Sequence, residues 1–481
     1  VGERWLGYGG FAAGETQDGE GGVPAVTNLR HVAVIDIGKT NAKVALVDLE
    51  SLSEIAVRRV PNAVQRDGPY PHFDTDRLWA FILESLGALN RAQRIEAISI
   101  TAHGATGALL DAEGRLALPI LDYEHDGPDS LAVDYDAVRP HFAETGTPRL
   151  PAGLNLGAQL FWQARAFPQT FARVATILTY PQYWAFRLTG VRANEVTSLG
   201  CHTDLWDVRK GNFSSLVDAM AWRRLMAPVR RAGDRLGPIL PEIAAATGLA
   251  VETQVLCGIH DSNASLLPHL VERPQPFSVV STGTWVISMA VGGRQVALDP
   301  ARDTLVNVNA LGHPVPSARF MGGREFETLV GQNKSEPTDA ETRAVLEQPV
   351  MLLPSVRHGS GPFPTREAAW GGGEPAGGAR YAAASFYLAM MAATCLDLIG
   401  ADGPSIVEGP FATNRLFVGI LAAATGRPVI AAGSTTGTSI GAALLAAGEG
   451  ASLRLAADEV TIKSPGPEWE AYARRWCDAV G

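Results

Sequence analysis

The pair His260-Asp261 lies in the run Gly-Ile-His-Asp-Ser-Asn-Ala-Ser-Leu-Leu of residues 258–267, after apolar Val255 and Leu256 and before a small-residue segment able to start a helix. A carboxylate held at such a strand-to-helix junction can accept a proton from a hydroxyl, and it sits near the positive end of a helix dipole. A second stretch, His31 to Glu50, reads as two apolar strands around the turn Asp36-Ile37-Gly38-Lys39-Thr40-Asn41. The backbone N–H groups of that turn, the Thr40 hydroxyl and the ammonium of Lys39 or Lys43 suit a phosphate. Asp36, at the strand end, suits magnesium held through water. The Gly-Lys-Thr tripeptide is not a P-loop: that motif needs glycine where Ala33 stands, and a second strand follows instead of a helix. A plain hairpin with polar turn residues explains this stretch equally well when it stands alone.

The pattern returns in the second half. Val279 to Val291 lies over Val34 to Leu46 as strand, small-residue turn and strand, with Gly283 matching Gly38 and Ser281 standing where Asp36 stood. Thr282, Gly283 and Thr284 then form a second phosphate-suited turn. A repeat at half-chain spacing predicts two similar domains facing each other across a cleft. His103-Gly104, and Asp122-Tyr123 ahead of Glu124, follow predicted strands and are substrate-side candidates, though loop polar residues are commonplace. Gly409 and Ala412 leave room for a flat base against backbone, with Asn414 able to hydrogen-bond it or a ribose. Tight helix packing explains Gly437, Gly441 and Ala442 equally well.

The elements that must position these residues follow in order. Residues 1–29 read as a flexible Gly-rich arm. A third strand, Glu54 to Val60, completes a meander; Asp74 or Thr75 caps a helix with Leu78, Phe81, Ile82, Leu86 and Leu89 on one face. Ile95 to Thr101 is a strand, Gly107 to Leu121 a hairpin turning at Glu113-Gly114, and residues 181–190 a helix. Arg230 to Leu240 is a connector. The middle, Asp299 to Gly378, reads as irregular and Gly/Pro-rich. Arg380 to Ile399 and Thr435 to Ala447 are helices around further strands, and a terminal helix starts near Pro467. With 46% hydrophobic residues, 19% charged and a net charge of −10, no basic face for nucleic acid or anionic membrane is expected. No apolar run is judged long enough to span a bilayer. Four scattered cysteines, Cys201, Cys257, Cys395 and Cys477, predict buried thiols in the cytoplasm.

Taken in order, the Asp-x-Gly hairpin, the mid-chain His-Asp, the Ser-Thr-Gly-Thr-Trp turn and the Gly/Asn block before Gly-Ala-Ala-Leu-Leu-Ala resemble the FGGY family of carbohydrate kinases. The resemblance covers residues 30–481. It implies an α/β fold of two ribonuclease H-like, actin-type ATPase domains, residues 30–268 on the sugar side and 269–481 on the ATP side. It implies ATP and Mg²⁺ as cofactors and a ketose or polyol as substrate, with no nucleic acid or membrane partner; a homodimer stays open. By that match Asp261 is the catalytic base and shares magnesium with Asp36. Gly38, Lys39, Thr40, Asn41 and Lys43 form the first phosphate turn, Thr282, Gly283 and Thr284 the second, and Gly409 and Asn414 the adenosine site. His103, Gly104, Asp122, Tyr123, His260 and Asp261 face sugar. Lys39 stands where the family usually has a small residue or threonine, and residues 121–126 replace its Trp/Gln–Asp–x–Arg motif. The His-Asp pair and residues 179–190 look most like the kinases of rhamnulose or fuculose. Two other readings use the same scaffold: a sugar sensor without turnover, and a chaperone-type ATPase.

Overall fold

The computed structural model describes residues 29–331, 335–432, 437–447 and 459–481. The predicted arm (all but Leu29), the predicted helix start at Thr435 and the end of the Gly/Asn block lie outside these residues.

Two sheets carry the architecture. The first contains β1 (His31–Ile37), β2 (Asn41–Asp48), β3 (Ser53–Pro61), β4 (Ala97–Ala102), β5 (Arg235–Pro238) and β6 (Gln254–Leu256), in the spatial order β3-β2-β1-β4-β6-β5. The second contains β7 (Phe277–Thr282), β8 (Val286–Val291), β9 (Thr304–Val308), β10 (Pro314–Phe320), β11 (Ser405–Glu408), β12 (Val429–Ala431) and β13 (Val460–Ile462), in the order β9-β10-β8-β7-β11-β12-β13. Apart from β9 in the second sheet and a two-residue strand, Ile259–His260, parallel to β4 in the first, polarity agrees strand for strand. Each sheet has an antiparallel meander (β1, β2, β3 or β7, β8, β10), then two strands added in parallel, then an antiparallel edge. The internal repeat is therefore a duplicated ribonuclease H-like, actin-type topology.

Register departs from the sequence alignment at the turn. Ile37 pairs with Ala42 across the first hairpin, but Thr282 pairs with Val286 across the second. The second turn is one residue shorter, so Ala42 corresponds to Val286, not to Ile287.

Period-2 alternation along β1 directs the chemistry. Ala33, Ile35 and Ile37 join the core beneath helix α1 (Thr75–Ala92), which Asp74 caps with a side-chain bond to the Arg77 amide. Val32 and Val34 join the opposite core, made with Ala264 and Leu267 of helix α2 (Asp261–Glu272). Asp36 shares that second face, so it points toward the helix that Asp261 begins. In β7, Phe277 and Val279 pack with Leu266 of α2, and Ser281 lies on their face. Helix α2 thus serves both sheets, and the expected domain boundary at 268/269 falls inside it.

Several expectations are corrected. Residues 299–378 are not irregular: they supply β9, β10 and helix α3 (Gly322–Val330). Pro314 and Pro316 hid β10, but both pair only with β9, beyond the part of the strand bound to β8. The strand Gly107–Leu110 takes its main partner from Thr176–Thr179, with one bridge, Leu110 to Leu116, from the predicted hairpin. The Arg230–Leu240 connector contains β5. Helix α4 (Gly377–Leu398) is long and apolar enough to cross a membrane by length and composition, contrary to expectation; 78% of that stretch is buried within the fold, as a core helix. Cys201, Cys257 and Cys395 are buried free thiols, but Cys477 is exposed.

The two halves meet at two places. Helix α5 (Arg415–Thr425) and β12 lead toward α6 (Gly437–Leu444), which crosses α2, with the Ser265 and Thr438 hydroxyls 2.8 Å apart. Farther out, the edge strand β9 docks on the first half, where the Val306 amide donates to the Gly146 carbonyl at 2.8 Å.

Candidate active site

A cavity of about 320 Å³ lies beside the first of these contacts, lined by Asp36, Asp261, Ser262, Ser265, Ser281 and Thr438 among others. Asp261 is the first residue of α2 and its side chain is 34% exposed, enough to meet a ligand. Its Oδ1 accepts the Ser262 amide at 2.6 Å and lies 3.2 Å from His260 Nε2. Asp36 is flanked by Lys43 at 3.4 Å, which also binds Glu54 at 2.9 Å. Burial pushes the Asp36 carboxyl up to about 6; Lys43 pulls it down and neighbouring Asp261 pushes it up. Two carboxylates thus face one cavity, and Lys43 pairs with one of them and with Glu54.

The two turns hold back some expected donors and offer others. The Gly38 amide closes its own turn on the Asn41 carbonyl, and the Gly283 amide does so on Trp285, both at 2.9 Å. Among the described residues the amides of Lys39, Thr40 and Thr284 have no hydrogen-bond partner. Beside the second turn stands the N-terminus of α3. A Cβ on Gly323 would overlap the Gly283 carbonyl and approach Thr284 Cα to 3.1 Å. A helix N-terminus against a turn with open amides is an anion cradle, which the sequence reading missed because it treated this region as irregular.

Lys39, expected in the phosphate set, faces the substrate-side segment in this structure. Its ammonium is bound by Asp122, lies 3.4 Å from Glu124 and sits 4.8 Å from the centre of the Tyr123 ring. It thereby ties the first turn to the substrate-side segment. Lys43 likewise turns to Asp36 and Glu54. Thr40 and Asn41 stay exposed, with Asn41 Nδ2 donating to Thr40 Oγ1 at 3.1 Å.

On the substrate side, His103 is buried against Phe73, Tyr123 and Tyr180. Its Nδ1 is 3.0 Å from the Gly104 carbonyl, which can only accept, so Nδ1 carries the proton. Burial lowers the ring to about 4, which keeps it neutral. Nε2 is then a buried lone pair without a partner. Gly104 is small for a reason: a Cβ there would lie 2.8 Å from His260 Nε2. His260 is buried, its Nε2 3.6 Å from Cys201 Sγ. It supports Asp261 and is enclosed by protein. Tyr123 is raised by burial and by Glu124, Asp261 and Asp122, which brings it into the same electrostatic neighbourhood.

A separate group forms at the ends of β7 and β11. The Thr282 hydroxyl donates to the Glu408 carbonyl at 2.5 Å and accepts the Phe411 amide at 3.1 Å. Gly409 has φ 81° and packs on Thr282, leaving no space for a Cβ. Asn414 is a helix cap: its Oδ1 accepts the Leu416 and Phe417 amides, and its Nδ2 donates to Ser385 at 3.0 Å. The expected hydrogen bond from Asn414 to a nucleoside is therefore mostly spent on the fold, and its short spacing to α5 was the available signal.

Comparison with known proteins places both halves of the chain in one family. Residues 31–268 match the FGGY family of carbohydrate kinases, N-terminal domain, and residues 274–454 match the carbohydrate kinase FGGY C-terminal domain. L-fuculokinase of Escherichia coli is 27% identical over 273 residues, a match spanning 54% of this chain and 56% of that protein. The chain thus matches little more than half the length of this curated relative. The crystal structure of a carbohydrate kinase from Novosphingobium aromaticivorans is 39% identical and superposes with a TM-score of 0.87, covering 94% of this chain and 99% of that one. A xylulose kinase structure from Brucella ovis, at 20% identity and TM-score 0.77 over 93% of this chain and 97% of its own, shares the fold. With both domains matched in order over most of its length, the chain belongs to the FGGY family of carbohydrate kinases.

Proposed function

We propose that the protein transfers the γ-phosphoryl group of ATP to a primary hydroxyl of a ketose or polyol, with Asp261 as general base. The observation that carries this reading is the position of Asp261, half-open to the cavity at the head of α2 and facing the same space as Asp36. Bound MgATP would supply the phosphoryl group and part of the charge neutralisation. Asp36 and Asp261 would hold the metal, and the amides of Lys39, Thr40 and Thr284 with the α3 N-terminus would hold phosphate oxygens. Asp261 takes the proton of the attacking hydroxyl; the two turns align the reacting groups, which is most of what phosphoryl transfer asks of a protein. A cytoplasmic enzyme of this kind fits the free buried thiols. The name L-fuculokinase on a relative supports a deoxyketohexose, so L-fuculose and L-rhamnulose head the test panel for sugar-dependent ADP release, with the ketopentoses D- and L-xylulose as comparison substrates.

The neutral His103 supports a polyhydroxy substrate, because its empty Nε2 calls for a hydroxyl donor. His103→Phe should raise the sugar KM about 3- to 10-fold, the worth of one hydrogen bond, and leave the ATP KM alone. Since the ring stays neutral down to about 4, its contribution to sugar KM should be flat between pH 8 and pH 6. A strong dependence on protonation in that window would contradict the assigned tautomer.

Lys39→Met keeps the apolar stem against the Phe73 and Tyr123 rings but leaves buried Asp122 without its cation. Its expected effect is a sugar KM raised about tenfold, the worth of a charge-assisted hydrogen bond, with little change in the ATP KM. The opposite split would return Lys39 to the phosphate set.

A further inference from the structure

The residue before the proposed base is held from an unexpected direction. The His260 amide donates to Thr197 Oγ1 at 3.0 Å. The Thr197 hydroxyl in turn donates to Glu195 Oε2 at 2.6 Å. Glu195 is fully buried and also accepts the Thr197 amide at 2.8 Å, the Ser198 amide at 3.1 Å and the Ser198 hydroxyl at 3.2 Å. It makes no ion pair among the described residues. A buried carboxylate without a cation is costly to a fold: burial raises Glu195 to about 7, while the amides and hydroxyls of Thr197 and Ser198, through which it caps the short helix Val196–Leu199, favour its ionised form above that pH.

We propose that Glu195 is a positioning residue for phosphoryl transfer: it makes the Thr197 hydroxyl a donor toward itself, so that only lone pairs face the His260 amide, and this hydrogen bond sets the backbone from which Asp261 enters the cavity. The physical logic is one of hydroxyl orientation. A threonine hydroxyl has one proton and two lone pairs. With that proton claimed by the carboxylate, the oxygen must accept from His260. Without the carboxylate the proton is free to turn toward the amide, where donor would meet donor. A second latch acts on the same segment: Gln182 Nε2 donates to the Cys257 and Gly258 carbonyls at 3.0 and 3.2 Å. Gly258 itself has φ 90°, and a Cβ there would lie 2.7 Å from the Ile100 carbonyl oxygen. The approach to Asp261 is thus fixed on the carbonyl side by Gln182 and on the amide side by Thr197, which leaves Glu195 to choose the polarity of the latter.

This inference rests on Asp261 as the base, and the test separates the two. Full-length Glu195→Gln, Thr197→Val, Thr197→Ser and the double variant of the first two are compared with wild type by steady-state kinetics and by amide hydrogen exchange of the peptide containing His260. The expected result is a kcat reduced roughly 10- to 100-fold in Glu195→Gln and Thr197→Val, the scale of a small misplacement, with both KM values retained. The double variant should be no worse than the more affected single one, Thr197→Ser should restore turnover, and exchange at His260 should quicken in the two single variants and their double but not in Thr197→Ser. Unchanged exchange in Thr197→Val overturns the proposal, as does faster exchange with wild-type kcat. Should wild type itself release no ADP with any sugar, the kinase reading fails, and the exchange arm alone decides whether Glu195 holds this segment. Thr197→Val keeps the test decisive if Glu195→Gln does not fold.

Discussion

Asp261→Asn is expected to lower sugar-dependent ADP release about 10²- to 10⁴-fold, the usual worth of a positioned base, while the protein folds and still binds both ligands. The amide oxygen can keep accepting from the Ser262 amide, the hydrogen bond that holds the carboxylate now, so its rotamer need not change. What is lost is basicity and one negative charge. That charge also repels Asp36, whose carboxyl Asp261 helps to push up to about 6. Asp261→Asn should therefore melt no lower than wild type, and the same sugar should still raise its melting temperature. Wild-type turnover in this variant would remove Asp261 from the role of base. Loss of the sugar-dependent shift together with turnover would instead make it a binding residue.

The parts of this site that were legible in the sequence are those encoded locally. Alternating Val and Ile around Asp36 and Gly38, and the change from strand to helix at His260-Asp261, each lie within a dozen residues. Strand alternation alone puts Asp36 on the face of Val32 and Val34. Partners chosen across the fold were not legible. Lys39 carries an attraction for any anion, and nothing near it in the chain says that Asp122, more than 80 residues away, claims it before a phosphate does. Asn414 shows the opposite case: an Asn directly ahead of an apolar helical run is a cap signal, and the cap explains most of its hydrogen bonds. Glu195 gave no signal of this role, since nothing near it in the chain says that Thr197 meets His260, 63 residues on. The prolines of β10 misled for a physical reason too: their missing donors fall where only one neighbouring strand needs pairing.

Gly441→Ala tests whether the crossing of α2 and α6 sets the site from behind. Gly441 lies where the two helices touch: an added Cβ would lie 2.6 Å from the Ala264 carbonyl carbon and closer still to its oxygen. Ala264 is fully buried, and Ile440, Ala442 and Ala443 around the contact are buried against β1 and β4 neighbours, so neither helix has free space to retreat into. Overpacking of this kind costs about 1–3 kcal/mol. For domains of this size that is roughly 2–4 °C of melting temperature per kcal/mol. The expected kinetic effect is larger than the thermal one, because α2 carries Asp261 one turn from Ala264 and must shift to admit the methyl group; a displacement near 1 Å at the reacting atoms costs about 10²-fold in rate. Gly426→Ala separates displacement from simple destabilisation. Gly426 has φ 65° at the end of α5 and nothing within 4 Å of its would-be Cβ, so backbone strain alone should cost about 1–2 kcal/mol. Comparable losses of stability with turnover lost only in Gly441→Ala would place the rate effect in helix geometry. Equal turnover in the two variants would mean that the helix crossing carries stability and leaves the position of Asp261 untouched.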